Sequence, residues 1–136
     1  MSKRLPKTFN CPTEFTLSVL GGKWKTIILC YLALQPFRYS ELHRLLPSLS
    51  DKMLTERLHD LKLKGLVFQK KTSRTKASAY YLTDKGRSLT DLLHQIYDWG
   101  YLHAKDFDVK VGEPLKEMAS ENTAALAPGR LLSRVS

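Results

Sequence analysis

Apolar residues recur at helical spacing through most of this chain, and they are clearest between positions 50 and 65. Leu54, Leu58 and Leu61 fall at i, i+4 and i+7 and share one face. Ser50 is placed to cap that helix, Asp51 suits the positive end of its dipole, and Gly65 supplies a left-handed stop. Lys52, Thr55, Glu56 and His59 then point away from the buried stripe. Their donors, acceptor and methyl group are the chemistry that reads base edges in a DNA major groove.

The same pattern predicts the neighbouring elements. A helix starts at Pro12, capped by Cys11 or Asn10, carries Phe15, Val19 and Leu20 on one side, and ends at Gly21-Gly22. A second helix spans 23–34, apolar nearly all round and therefore central, and Pro36 stops it. A short helix over 39–46 turns Leu42, Leu45 and Leu46 inward, and residues 47–50 form a brief turn with Leu49 beneath it. After Gly65 the chain alternates, with Leu66 and Phe68 on one side and Val67 and Gln69 on the other. It returns through Tyr80 to Leu82, so 67–82 reads as a hairpin with a long, basic tip. Thr83 is expected to cap one last long helix.

The fold class predicted is mainly α with a small β-hairpin: a winged helix-turn-helix, dimeric through its first and last helices. A basic arm covers 1–10, the DNA-binding and dimerisation domain 11–106, and a tail 107–136, within which 113–126 can form a weak helix. The dimer surface expected comprises Phe15, Leu89, Leu92, Leu93, Ile96, Trp99, Gly100 and His103, because so broad an apolar side exceeds what one small domain covers.

Charge sharpens the functional expectation. Lys and Arg number 22 against 13 acidic residues, a formal net charge of +9. That balance favours a polyanionic partner, double-stranded DNA first. No apolar run has the length of a membrane span and the N-terminus lacks a signal-peptide pattern, so a cytoplasmic location and no membrane partner are expected. The four histidines show no metal spacing, and there is no nucleophile elbow or phosphate-binding glycine loop. The chain is not expected to be an enzyme, and no metal or cofactor is expected.

A family resemblance enters on specific blocks. They are Cys11-Pro12, Gly21-Gly-Lys-Trp-Lys25, Phe37-Arg-Tyr-Ser-Glu-Leu42, Leu46-Pro-Ser-Leu-Ser50, Met53-Leu-Thr-Glu-Arg-Leu58, Gly65-Leu-Val67, Tyr81-Leu-Thr83 and Gly86-Arg-Ser-Leu89. In this order they resemble the HxlR-type family of bacterial winged-helix regulators over roughly residues 10–104. The resemblance implies a homodimer that binds operator DNA as repressor or activator. It also implies, from some members, that a cysteine at the position of Cys11 senses oxidants or electrophiles. The chain departs from the family in its wing, which has neither proline nor acidic residues and is markedly basic.

Site residues follow. Ser50, Lys52, Thr55, Glu56 and His59 are the base-contacting candidates. Arg38, Tyr39, Ser40, Arg44, Arg57, Lys70, Lys71, Arg74 and Lys76 are the phosphate-contacting candidates. A pseudo-palindromic operator is expected from two-fold symmetry. Cys11 is the redox candidate, since a thiol at a helix N-terminus near Lys7 and Arg4 favours thiolate; Cys30, inside an apolar helix, is expected to be inert. The alternative is a winged helix that docks only protein, against which the basic wing argues.

Overall fold

The computed structural model describes residues 4–71 and 77–112. They form two compact units, divided between Ser88 and Leu89.

The first unit begins with helices α1 (Pro12–Leu20) and α2 (Lys23–Leu34). Pro12 opens α1 behind Cys11, and Gly21 ends it at φ +62°, the left-handed conformation that a side chain resists. A short strand β1 (Phe37–Arg38) leads into α3 (Tyr39–Leu45). Leu49, 1% exposed, anchors the turn into α4 (Asp51–Leu63). Strands β2 (Val67–Lys71) and β3 (Ser78–Leu82) follow, then a one-turn helix α5 (Asp84–Arg87).

The core of this unit comes from the apolar stripes. Ile28 and Leu29 of α2, Leu42 of α3, and Leu54, Leu58 and Leu61 of α4 are essentially inaccessible. Each such side chain contributes about 1.5–3 kcal/mol by leaving water. The strands form an antiparallel sheet ordered β1-β3-β2, with Phe37 opposite Tyr80 and Val67 opposite Leu82.

Strand β1 was not foreseen. Two residues are too few to show period-two alternation, and only pairing with the distant β3 makes them a strand. The sides taken by Leu66 and Phe68 also differ from the expected ones, Leu66 being buried and Phe68 exposed. Gly65 sits at φ +71°, with its N–H donating to the Lys62 carbonyl and the Leu66 N–H donating to the Leu61 carbonyl. This helix stop buries Leu66 as its closing apolar contact. The strand therefore starts at Val67, which faces the core, while Phe68 turns outward and stacks on Tyr81 at 5.3 Å.

The last helix is likewise not continuous from Thr83. Thr83 caps α5, accepting from the Gly86 N–H at 3.0 Å, and the chain then breaks at Ser88 and Leu89. The Ser88 hydroxyl donates to the Lys85 carbonyl, a local bond that competes with a continuing helix. Gly86 lies so close to Leu66 that an added Cβ would stand 2.2 Å from the Leu66 carbonyl oxygen.

The second unit holds α6 (Thr90–His103) and a 3-10 turn (Ala104–Phe107). The turn ends at Asp108, whose φ is +57°. The expected weak helix within 113–126, and the loop holding Arg74 and Lys76, lie outside the described residues.

Candidate nucleic-acid interface

Helix α4 is fixed from both ends. Ser50 Oγ accepts from the Met53 N–H at 3.2 Å, as its capping role requires, and Gly65 closes the other end. With Leu54, Leu58 and Leu61 buried, Lys52, Thr55 and His59 are left exposed on the opposite side, and Glu56 is half-buried beside them. The base-contacting candidates thus share one accessible surface, apart from Glu56, which leans toward Arg57 at 3.8 Å.

A hydroxyl cluster braces α3 against the start of α4. The Tyr39 hydroxyl lies 3.0 Å from Asp51 Oδ1, 3.1 Å from the Asp51 carbonyl oxygen and 3.2 Å from Thr55 Oγ1. The Tyr39 ring stacks on His43, whose Nε2 lies 3.3 Å from Asp51 Oδ1. Tyr39 therefore holds the two helices in register while standing at their exposed edge. Ser40 and Arg44 on α3 are exposed, and Arg38 is exposed with its N–H donating to Glu41 at 2.8 Å. Lys70 and Lys71 extend the cationic surface along β2.

Sequence reasoning missed one group. Asp60 falls on α4 among polar positions, yet it is only 6% exposed. Its Oδ2 accepts from Lys25 of α2 at 2.6 Å and from Lys64 at 2.5 Å. Burial alone would raise this carboxyl, but the two lysines outweigh it and hold it below its ordinary range. Burial also lowers the Lys25 ammonium, against the pull of Asp60. The available signal was local: Asp60 and Lys64 at i, i+4. Nothing in the sequence brings Lys25 to them.

Cys11 is exposed at the N-cap of α1. The Thr13 backbone and hydroxyl and the Glu14 backbone in the first turn of α1 lower its thiol, although the side chain makes no capping hydrogen bond. The helix's own donors supply the effect that the sequence also assigned to Lys7 and Arg4. Burial pushes the Cys30 thiol up to about 11, so it is inert at neutral pH.

Apolar side chains stay exposed in each unit. In the first, Phe15 is 45% exposed and meets Phe9 edge-on at 5.4 Å. In the second, Ile96 is 43% and Trp99 59% exposed, with the Trp99 ring 4.7 Å from His103. Leu89, Leu92, Gly100 and His103 are half-buried. Leu93 differs from the expected surface: it is fully buried within the single chain and has no area left for a partner.

A helix-turn-helix of α3 and α4, followed by the β2–β3 hairpin and its cations, defines a winged helix-turn-helix protein. The model of the HxlR-like helix-turn-helix family matches residues 19–107, and the chain belongs to that family. It is 40% identical over 98 residues to YtcD of Bacillus subtilis, an uncharacterised HTH-type transcriptional regulator, covering 71% of this chain and 78% of the relative. The redox regulator HypR in its reduced form superposes with a TM-score of 0.67 at 33% identity, covering 72% of this chain and 98% of HypR. The reduced form of the transcriptional regulator YodB from Bacillus subtilis gives 0.58 at 32% identity, covering 68% and 92%. These relatives are transcriptional regulators, not enzymes. No single helix among the described residues is long and apolar enough to cross a membrane.

Proposed function

We propose that this protein is a cytoplasmic, homodimeric transcriptional regulator that binds a pseudo-palindromic operator. The observation that carries the reading is the accessible polar side of α4, where Lys52, Thr55 and His59 stand clear of the core on a helix held at both ends. Lys52 donates to guanine, Thr55 offers its methyl to thymine, and His59 donates or accepts. Ser50 and Glu56 stand at the margin of that contact. Arg38, Tyr39, Ser40, Arg44 and Arg57, with Lys70, Lys71, Arg74 and Lys76 of the wing, bind phosphates and set the register. In the dimer, Phe15 of α1 and Ile96, Trp99, Gly100 and His103 of α6, flanked by Leu89 and Leu92, form the subunit contact. The two recognition helices then enter successive major grooves about 34–36 Å apart.

Cys11 makes the regulator responsive to oxidants or electrophiles. Its exposure, its lowered thiol and the likeness to HypR, named a redox regulator, support this assignment.

The test is selection of bound duplexes from a random pool, followed by anisotropy across a salt series. A selected inverted repeat, bound with an affinity that falls steeply with salt, is the expected result. No duplex binding even at low salt would sink it and favour a protein-docking module.

A further inference from the structure

A cleft of about 660 Å³ opens on the flank of α4, within the size range of small-ligand sites. Arg57, Asp60 and Lys64 line it; on the helix they lie roughly a quarter turn or more from Lys52, Thr55 and His59. Lys25 enters from α2, Ser18 from α1, and Leu5 and Pro6 of the N-terminal arm wall the far side.

Among the described residues, the charges lining this cleft do not balance. The lining cations Arg4, Lys25, Arg57 and Lys64 face two carboxylates, Glu56 and Asp60. Both lysine side chains are largely removed from water, 13% and 12% exposed, and both lean on the same carboxylate oxygen. One carboxylate therefore serves two desolvated ammonium groups, and the triad carries an uncompensated positive charge. Glu56, the other lining carboxylate, lies 3.8 Å from Arg57.

The geometry points to this cleft as the effector site, taking a small organic anion whose carboxylate or phosphate meets Lys25 and Lys64 and whose apolar body lies on Leu5 and Pro6. The anion supplies the missing counter-charge. Its effect on DNA rests on the function proposed above, and it has a direct route. Lys25–Asp60 joins α2 to α4, and an anion that draws Lys25 toward itself weakens that tie to the recognition helix. A phosphate of the duplex backbone is the less suitable occupant, because Leu5 and Pro6 of the arm give one side of the cleft an apolar wall.

The experiment uses the full chain without DNA first. Benzoate, succinate and glycerol phosphate are titrated by calorimetry and by amide NMR, with neutral benzamide as control. At least one anion is expected to bind saturably and shift amides of α2 and α4, while benzamide does not. Lys25→Gln should weaken that binding by about tenfold or more. Ser18→Phe places a bulky ring at the cleft wall while leaving the three triad side chains in the sequence, and should abolish binding; thermal melts confirm that both variants fold. The bound anion should then change operator affinity of the wild type and leave that of Ser18→Phe unmoved. No saturable binding by any of the three anions, or equal binding of benzamide, overturns the proposal. So does an anion that binds without altering operator affinity. So does a duplex that displaces the anion while Lys25→Gln weakens all duplexes equally with a shallower salt slope. Absence of any DNA binding, with the anion still bound, would overturn the proposed function and the effector role but leave the anion site standing.

Discussion

Asp60 Oδ2 accepts from Lys25 Nζ at 2.6 Å, joining side chains 35 positions apart in the chain. The bond ties helix α4 to the central helix α2 through a carboxylate only 6% exposed. Asp60→Ala leaves Lys25 and Lys64 partly buried without their anion. The cost expected is about 2–3 kcal/mol, somewhat less than for a fully enclosed pair because the triad opens onto the cleft. Urea unfolding at neutral pH measures it.

The same carboxylate makes stability depend on acid. Its folded pKa is depressed, so the native state holds fewer protons and the stabilisation is fully present above the ordinary carboxylate pKa near ~4. It is lost as pH falls through the depressed folded value. Asp60→Asn should therefore show a shallower loss of stability than the wild type between about pH 5 and pH 2, read from unfolding midpoints.

Lys52→Ala or Thr55→Ala should cost about 1–3 kcal/mol of operator binding and relax preference at one base position. Lys71→Ala should instead weaken all sequences alike and reduce the salt slope by about 1. Competition anisotropy with single-base operator variants separates the two patterns; equal behaviour of all three substitutions would count against α4 as the reader.

Trp99→Asp should shift the protein from dimer to monomer in sedimentation velocity, since a charge replaces a ring that is 59% exposed in the single chain. Far-UV circular dichroism should stay unchanged. A variant that remains dimeric removes α6 from the subunit contact.

Cys11 should alkylate at least about tenfold faster than Cys30 at neutral pH, since its thiol is lowered while that of Cys30 is pushed up to about 11. Peptide mass spectrometry resolves the two. Cys11→Ser should retain operator binding and lose its response to oxidant.

Gly86→Ala should destabilise the protein by about 1–3 kcal/mol, because the new methyl would meet the Leu66 carbonyl oxygen at 2.2 Å and backbone would have to move. Thermal melts with the Gly22→Ala protein alongside give the comparison, as Gly22 has open space around it and only the strain of φ +92° to bear.

The sequence by itself determined the elements whose information is local. Leu54, Leu58 and Leu61 are spaced to bury one stripe, Ser50 and Gly65 mark the two ends, and Pro12 and Gly21 bound α1, so α4 and its outward residues could be placed without coordinates. Caps and periodicity act within a few residues, and their energetics do not wait for the rest of the chain. What only tertiary structure decided involved partners far apart or neighbours too close to see in a pattern. Strand β1 exists because Phe37 pairs with Tyr80, and Phe68 faces outward because the stop at Gly65 gives Leu66 to the core. Asp60 is buried because Lys25 reaches it from another helix. A polar residue is placed inside or outside by whether a counter-charge arrives in space, and spacing along one helix carries no record of that.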